Sequence, residues 1–355
     1  MISAETRRPG LADEQAAGEA REGNVAKAVR FHELGGPEVL RLEEVEVGEP
    51  GPGEVRLRVQ AIGLNRAEAL FRAGHYLEAA TLPARLGYEA AGTVEAVGPD
   101  VAGVAVDDAV AVVPSFSLNQ YGMYGDVVLA PAHAIVRTPD GVPPVEAAAV
   151  WMQYLTAYGA LVDIARLGRG DVVVIPAASS SVGLAAIQIA RMVGATAVAT
   201  TRSGKKADAL REAGAQHVIA TERDDLAAEV NRITHGAGAR VIFDPVAGPF
   251  VEKLAEACAR GGILFIYGLL SMRPTPFPTL PALNKGLTLR GYTLFEVVSD
   301  EGRFARGKSF VLDGLAKGAL KPIIARTFPL ERIADAHRYM EAGEQFGKIV
   351  VTVEA

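Results

Sequence analysis

The sequence has very little cysteine and no long apolar run. Its one cysteine is Cys258, so an internal disulfide and a multi-thiolate zinc site are both excluded. No apolar segment is long enough to cross a bilayer, and residues 1–24 lack the apolar core of a signal peptide. We therefore expect a cytoplasmic protein without a membrane partner. Residues 1–24 are expected to form a flexible extension.

An excess of positive charge is also missing. The formal net charge of the 355 residues is −6, and no basic tract dominates, which argues against broad nucleic-acid binding. Hydrophobic residues make up 49% of the chain, so two domains with substantial cores can form. Cys258 lies in a predicted helix (residues 250–259) and is expected to be a small core residue.

The first part of the chain is typical of a barrel-like β domain. Short apolar segments separated by glycine and proline predict a series of strands, with one helix over residues 65–73. The predicted strands are residues 26–31, 39–47, 54–62, 90–97, 109–113, 127–129 and 134–137.

Helical and strand patterns alternate after residue 145, which predicts a doubly wound parallel sheet. The predicted helices are residues 145–164, 184–193, 205–213, 226–234 and 250–259, with further helices over 300–317 and 333–342. The predicted strands are residues 172–175, 196–200, 217–219, 241–244, 262–267 and 287–293, and a last strand over 348–353. Four prolines in residues 271–283 predict that this segment forms no regular helix. We expect the tail to return to the first domain.

The segment VVIPAASSSVG (residues 173–183) has the strand, tight turn and helix order of a dinucleotide-binding motif. Ala178, Ser180 and Gly183 hold its three glycine positions. Small residues there let backbone N–H groups approach a pyrophosphate at a helix N-terminus. The alternative is an ordinary strand-to-helix turn whose serines cap the helix.

The end of the next predicted strand indicates which dinucleotide is bound. Thr201 and Arg202 stand there, with Lys206 nearby, where a carboxylate would bind a ribose 2′-hydroxyl. A hydroxyl and two cations suit a 2′-phosphate instead. This pattern predicts NADPH, and the alternative is a solvated basic turn.

Six motifs give the chain a family resemblance. They are AIGLNRAE (61–68), RAGHY (72–76), LGYEAAGTVEAVG (86–98), LTAYGAL (155–161), PAASSSVGLAAIQIA (176–190) and GKIVVTV (347–353). In this order they resemble the medium-chain dehydrogenase/reductase superfamily, specifically its zinc-independent quinone oxidoreductase branch. The resemblance implies an α/β fold: a discontinuous GroES-like catalytic domain (residues 25–148 and 300–355) and a Rossmann NADPH-binding domain (residues 149–299).

The resemblance also bears on zinc. At the positions of the ligands of the zinc-dependent members this chain has Asn65, Tyr88 and Met152, and amide, phenol and thioether are poor zinc ligands. Ala67 stands where the alcohol dehydrogenases have the hydroxyl of a proton relay. We therefore expect no metal, and we expect Glu89 to be a buried acid paired within the fold.

Without a metal, the enzyme requires an acceptor that is already electrophilic, such as a quinone or a conjugated enone. The hypothesis is hydride transfer from NADPH to the β-carbon, stabilisation of the enolate oxygen and protonation of the α-carbon. The alternatives are an enoyl-thioester reductase of a biosynthetic pathway and a non-catalytic NADPH-binding or sensing protein. A zinc alcohol dehydrogenase is disfavoured by the three substituted ligand positions.

Two residues are predicted to be catalytic. The resemblance places Asn65 near the nicotinamide and its ribose, and the alternative is that it only caps the helix after it. Tyr76 could stabilise the enolate or donate the proton, or it could only line the pocket. Tyr88, Trp151 and Met152 are predicted to line the substrate pocket.

The predicted cofactor-binding residues come from loops at the carboxyl ends of strands. They are Asn65, Thr156, Ser179, Ser180, Ser181, Val182, Gly183, Thr201, Arg202, Lys206, Val246, Gly248, Gly268 and Leu269. By the same resemblance, strand 287–293 pairs with its copy across a two-fold axis, so a homodimer is expected.

Overall fold

The computed structural model describes residues 24–354. The predicted extension, residues 1–24, therefore lies outside the described residues except for Asn24, which begins the first strand. The β-rich half contains β1 (Asn24–Phe31), β2 (Arg41–Val47), β3 (Glu54–Gly63), α1 (Arg66–Arg72), β4 (Ala84–Arg85), β5 (Glu89–Val97), β6 (Ala109–Val112), β7 (Val127–Pro131) and β8 (Ile135–Arg137).

The second half alternates helices and strands as predicted. It contains α2 (Pro144–Ala147), α3 (Trp151–Tyr158), β9 (Val172–Ile175), α4 (Ser181–Met192), β10 (Thr196–Thr201), α5 (Ala207–Glu212), β11 (His217–Ala220), α6 (Leu226–Ile233), β12 (Ala239–Asp244), α7 (Val251–Ala257), β13 (Cys258–Ile266), α8 (Thr279–Lys285) and β14 (Thr288–Gly291). The tail contains α9 (Phe295–Val298), α10 (Glu301–Ala316), β15 (Ile324–Pro329), α11 (Ile333–Ala342) and β16 (Lys348–Thr352).

The β-rich half is built from two sheets. One has the order β2-β1-β4, and the other has the order β15-β16-β3-β5-β6-β8, with β7 also paired to β3. The tail strand β16 pairs antiparallel with β3, so the chain does return to this half after the parallel sheet. The exact domain boundaries given above stay a prediction.

The second half is a six-stranded parallel sheet in the order β11-β10-β9-β12-β13-β14. The chain moves outward from β9 to β11 and then crosses to β12 on the other side of β9. Ligands of such sheets bind where this strand order reverses, at the carboxyl ends of the strands. The turn after β9 lies at this point, as the sequence predicted.

Helices cover both faces of the parallel sheet. Val173 and Ile175 of β9 pack on one face with α3, α4 and α10, whereas Val174 packs on the other face with α6 and α7. Side chains on both faces of the strand are therefore buried, which explains why these strands are apolar throughout. The predicted α/β class with a GroES-like and a Rossmann part is confirmed. No helix of residues 24–354 is long and apolar enough to span a membrane.

Three local predictions were wrong. The helix predicted over 145–164 is interrupted between α2 and α3, where Ala148 packs against Gly63, and it continues after α3 as a π-helical turn, Gly159–Ile164. The helix predicted over 250–259 ends at Ala257, because Cys258 adopts an extended backbone conformation and begins β13. Lys285 Nζ donates to the carbonyl of Cys258, 2.9 Å away. Cys258 is nevertheless buried, as expected.

The third wrong prediction concerns the proline-rich segment 271–283. The structure contains helix α8 from Thr279 to Lys285. Pro278 precedes the helix and Pro281 lies in its first turn, where the missing N–H group of a proline breaks no helical hydrogen bond. Counting prolines without their position in the turn produced the error.

Candidate active site

A cavity of about 580 Å³, the central cavity, lies between the two halves of the molecule. It extends from the turn after β9 to the loop that follows α1. Ten of the residues predicted for the site line it, namely Asn65, Tyr76, Met152, Thr156, Ser179, Ser180, Ser181, Val182, Gly268 and Leu269. Chain segments more than 200 residues apart in the printed sequence thus meet at one site.

The other predicted residues do not line the central cavity. They are Tyr88, Trp151, Gly183, Thr201, Arg202, Lys206, Val246 and Gly248. Tyr88 and Trp151 are buried behind the wall, and Val246 lines a separate cavity of about 280 Å³. The roles predicted for these residues stay predictions.

The serine turn, residues 179–183, has the geometry of a phosphate-binding turn. Ser180 is the N-cap of α4, and its Oγ accepts the N–H of Gly183, 3.1 Å away. A Cβ on Gly183 would lie 2.7 Å from the backbone of Ala178, so only glycine permits this close packing of helix on strand. Ser180 therefore caps α4, and pyrophosphate binding by this turn stays a prediction.

Two cations lie next to the serine turn. Lys206 Nζ donates to Ser179 Oγ at 3.2 Å and to the carbonyl of Gln345 at 2.8 Å. Burial, and after it the nearby Arg202, lowers the pKa of Lys206. Arg202 is exposed, and no ion pair is found for it among residues 24–354. An anion at this position would offset the positive charge.

The loop after β12 is fixed by Asp244. Its carboxylate accepts the N–H groups of Val246 at 2.8 Å and Ala247 at 2.9 Å. Burial raises the pKa of Asp244 to about 6, although these hydrogen bonds oppose the shift. Gly248 donates its N–H to Thr275 Oγ1, 2.9 Å away. Contacts within the protein therefore account for the conformation of this loop.

Asn65 caps α1, and most of the hydrogen-bonding positions of its side chain are occupied. Its Nδ2 donates to the carbonyl of Gly63 at 3.0 Å and to Glu68 Oε1 at 3.2 Å. Its Oδ1 accepts a hydrogen bond from Lys348 Nζ at 2.6 Å. A carbonyl oxygen has two lone pairs, so Asn65 keeps at most one acceptor position and no donor for a ligand.

Lys348 and Glu89 form a buried ion pair beside Asn65. Each side chain is 1% exposed, and Lys348 Nζ donates to Glu89 Oε1. The second oxygen of Glu89 accepts the backbone N–H of Met152, 2.9 Å away, at the start of α3. The expectation that Glu89 is a buried, paired acid agrees with this geometry.

A second buried carboxylate, Glu68, collects hydrogen bonds from the same region. Its oxygens accept the backbone N–H of Asn65 at 2.7 Å, the backbone N–H of Tyr88 at 2.9 Å and the Tyr124 hydroxyl at 2.6 Å. Burial raises the pKa of Glu68, and these donors oppose the shift. Glu68 thus links α1 to Tyr88, just before β5, and to Tyr124, just before β7.

The network continues to α11 through His337. Arg72 Nη1 lies 2.7 Å from His337 Nδ1. A guanidinium can only donate, so Nδ1 accepts, and the neutral ring carries its proton on Nε2, 3.1 Å from the Tyr124 hydroxyl. Burial, and after it Arg72, lowers the pKa of His337 to about 3, which keeps the ring neutral.

Aromatic rings pack at and behind one wall of the central cavity. Tyr76 contacts Tyr88 at 6.2 Å between ring centroids, and Tyr88 in turn contacts Phe116 and Phe295 at 5.9 and 6.0 Å. Burial raises the pKa of both tyrosines, so their hydroxyls stay protonated at neutral pH. The buried Tyr88 hydroxyl has no hydrogen-bond partner of good geometry among residues 24–354.

Sequence reasoning missed several residues at or beside the cavity. Arg66, Tyr267 and Lys348 line it, and Glu68 supports Asn65. The Asn-x-x-Glu spacing of a capping box in residues 65–68 was a usable signal for Glu68. No local pattern brings Lys348 to Asn65, since the two residues are 283 positions apart.

The three positions that carry zinc ligands in the metal-dependent branch hold poor ligands, and their surroundings do not supply better ones. Among residues 24–354, no group of three or more His, Cys, Asp or Glu side chains could hold a metal ion. Instead, an ammonium group, Lys348 Nζ, contacts Asn65. The residue types at this site therefore do not fit zinc.

Comparisons with known proteins agree with the fold. A family model described as the alcohol dehydrogenase GroES-like domain matches residues 51–140, and one described as zinc-binding dehydrogenase matches residues 181–305. A 2-haloacrylate reductase of a Burkholderia species is 32% identical over 334 residues, which cover 92% of this chain and 99% of that protein. The quinone oxidoreductase of Pseudomonas aeruginosa shows the same identity and coverage.

A solved structure of the Escherichia coli quinone oxidoreductase complexed with NADPH aligns with a TM-score of 0.85 at 28% identity, over 92% of this chain and 100% of that one. That complex supports the NADPH cofactor predicted from Thr201, Arg202 and Lys206. The motifs, the two-part fold and these matches extend over the same residues. The chain belongs to the medium-chain dehydrogenase/reductase superfamily, in its zinc-independent quinone oxidoreductase branch.

Proposed function

We propose that this protein is an NADPH-dependent reductase of conjugated C=C–C=O compounds and quinones that works without a metal. The observation that carries the proposal is the central cavity, which joins the serine turn at one end to the Tyr76 wall at the other. Few charged groups line it, so it suits a small, mostly apolar acceptor beside a dinucleotide.

The residues around the serine turn fit the cofactor. The turn and the N-terminus of α4 would hold the pyrophosphate. Arg202 and Lys206 would hold the 2′-phosphate. Arg66, whose pKa burial lowers, adds a cation at the cavity wall. Bound NADPH supplies a hydride. The free acceptor position of Asn65 suits a ribose hydroxyl or a carboxamide N–H, and not a developing oxyanion.

Tyr76 is then the proposed hydrogen-bond donor to the acceptor's carbonyl oxygen. Its hydroxyl stays protonated because burial raises its pKa, and Tyr76 lines the cavity. A hydrogen bond that strengthens as charge develops on that oxygen lowers the barrier to hydride transfer. The same donor serves a quinone oxygen.

The test is NADPH oxidation by purified protein of known zinc content. The acceptor panel comprises a benzoquinone, a short enone, a 2-haloacrylate and an enoyl thioester, each assayed with NADPH and with NADH. Turnover of a quinone or an enone without zinc, and its loss in Tyr76→Phe, is the expected result.

Two outcomes of the same panel would replace this proposal. Turnover confined to the enoyl thioester would assign the protein to biosynthetic thioester reduction. Tight NADPH binding with no acceptor reduced would indicate a binding or sensing role. The haloacrylate arm extends the panel to activated alkenes that carry a carboxylate.

A further inference from the structure

The three positions of the missing zinc ligands are not left unsupported. Asn65 is held by the Lys348 ammonium at 2.6 Å, and Met152 is held through its N–H by Glu89 at 2.9 Å. Lys348 and Glu89 are joined to each other, so one ion pair ties these two positions together. The segments that carry Asn65 and Met152 are thus joined by side chains.

The third position is tied into the same network. Tyr88 donates its backbone N–H to Glu68 Oε1 at 2.9 Å, and Asn65 Nδ2 donates to the same oxygen at 3.2 Å. Tyr88 and Asn65 are therefore linked through one carboxylate. Tyr88 is also the chain neighbour of Glu89, so both carboxylates act on the same segments.

The local backbone is shaped to admit this ion pair. A Cβ on Gly63 would lie 2.8 Å from Glu89 Oε1 and 2.9 Å from Lys348 Cε. Only glycine at this position leaves room for the two side chains. The carbonyl of Gly63 also accepts a hydrogen bond from Asn65 Nδ2 at 3.0 Å.

A buried ion pair is a weak source of stability, because desolvating two charges costs about as much as their attraction returns. Apolar side chains of similar size would fill the space at least as well. An ion pair retained at 1% exposure, directly against a residue of the site, therefore points to a role in positioning.

We propose that Lys348, held in place by its ion pair with Glu89, is the positioning residue that fixes the Asn65 amide for the cofactor. The pair joins β16, β5 and the start of α3 at the floor of the cavity. It holds Asn65 Oδ1, and Asn65 lines the cavity. This inference rests on the proposed function, because it requires Asn65 to contact the nicotinamide end of NADPH.

The test compares Lys348→Met, Asn65→Ala and the double variant by equilibrium fluorescence titration with NADPH and with NADH. Each single variant should raise both dissociation constants by about tenfold, as for one lost hydrogen bond to a charged group. The double variant should bind no more weakly than Asn65→Ala, since both changes remove one interaction. Lys348→Arg, which keeps a donor and the charge, should restore binding to within about threefold of the wild type.

Lys285→Met is the matched control. Its half-buried ammonium also binds protein acceptors, with Cys258 O at 2.9 Å, but Lys285 does not line the central cavity. It should lower the melting temperature without changing either dissociation constant.

The outcomes separate this inference from the proposed function. Wild-type protein that binds neither dinucleotide would overturn the proposed function. Wild-type binding with unchanged constants in a folded Lys348→Met, or additive losses in the double variant, would overturn the role of Lys348 alone. If Lys348→Met does not fold, Lys348→Met/Glu89→Gln removes both charges and is titrated in its place against the same criteria.

Discussion

At the scale of single residues, the chemistry of the site depends on which valences are already used. The sequence correctly indicated Asn65 as a residue of the cavity, but its type alone suggested an amide able to donate and accept. In the structure Gly63 and Glu68 take both N–H groups, and Lys348 takes one lone pair. The proposed donor for the acceptor oxygen is therefore a different residue, Tyr76, so the two roles are separable by experiment.

Arg202 is predicted to select NADPH over NADH. Arg202→Ala removes an exposed cation beside Lys206, so the dissociation constant for NADPH should rise by about tenfold or more, while that for NADH stays within about twofold. Titration with both dinucleotides measures the ratio. Arg223→Ala is the control, because Arg223 is an exposed arginine whose described partner is its neighbour Asp224. An equal loss for both dinucleotides in Arg202→Ala would place Arg202 elsewhere on the cofactor.

His337 is predicted to make the fold sensitive to acid. Its pKa in the folded protein is about 3, below the usual 6.5. Between these pH values the unfolded chain therefore binds a proton that the native ring does not bind. The contribution of the neutral ring to the free energy of unfolding is complete above pH 6.5. It is lost as the pH falls towards 3, by up to about 1.4 kcal/mol per pH unit. Denaturant unfolding between about pH 4 and 6 should show a shallower pH dependence for His337→Gln than for the wild type. Equal slopes would contradict the buried neutral ring.

At the scale of elements, the turn between β9 and α4 was predictable because its determinants are local. Small residues, a capping serine and one glycine specify it within eleven positions. Helix α8 was not predictable from proline content, since its prolines occupy the N-cap and the first turn. The carboxyl end of α7 lies against Lys285, and the break between α2 and α3 lies against Gly63. Both contacts come from residues that are distant in sequence.

Gly183 is predicted to be intolerant of any side chain. In Gly183→Ala the Cβ would lie 2.7 Å from the backbone of Ala178, so the turn must open and NADPH binding should weaken by about tenfold or more, with a lower melting temperature. Gly168→Ala is the control, because no atom lies within 4 Å of its added Cβ. Thermal unfolding and NADPH titration of the two variants test this, and equal behaviour would contradict the close packing.

The loop that carries Tyr76 is predicted to be held by Glu78. Glu78 accepts the N–H of Leu118 at 2.9 Å and the hydroxyl of Ser117 at 2.5 Å, which ties this loop to the next one. Glu78→Gln should raise the KM of the acceptor by about three- to tenfold and leave the NADPH dissociation constant unchanged. Glu44→Gln, on the exposed side of β2, is the control. A change in NADPH binding alone would show that the loop serves the cofactor.

At the scale of the whole molecule, the order of strands and helices and the two-part architecture followed from periodicity and from the family motifs. The buried polar network did not, because Arg72, Glu89, His337 and Lys348 meet only after the chain returns through β15 and β16. A charged residue within an apolar strand pattern does not indicate which distant residue will pair with it. Distant ion pairs of this kind are visible only in three dimensions.

The homodimer stays a prediction, and the structure supplies residues with which to test it. Leu280 and Leu283 of α8 are 72% and 75% exposed and lie near the edge strand β14. Light scattering should give about twice the 37.3 kDa chain mass for the wild type and a smaller mass for Leu280→Glu/Leu283→Glu. Val106→Glu, also at an exposed apolar residue, is the control. A monomeric wild type would contradict the dimer.

The most direct test of the central claim is the fate of the hydride. Protein is incubated with NADPH dideuterated at C4 of the nicotinamide and a short enone, and the product is analysed by mass spectrometry and NMR. The account predicts one deuterium, on the former β-carbon, with the α-hydrogen taken from solvent. A product without deuterium, deuterium at the carbonyl carbon, or no product despite bound NADPH would contradict it.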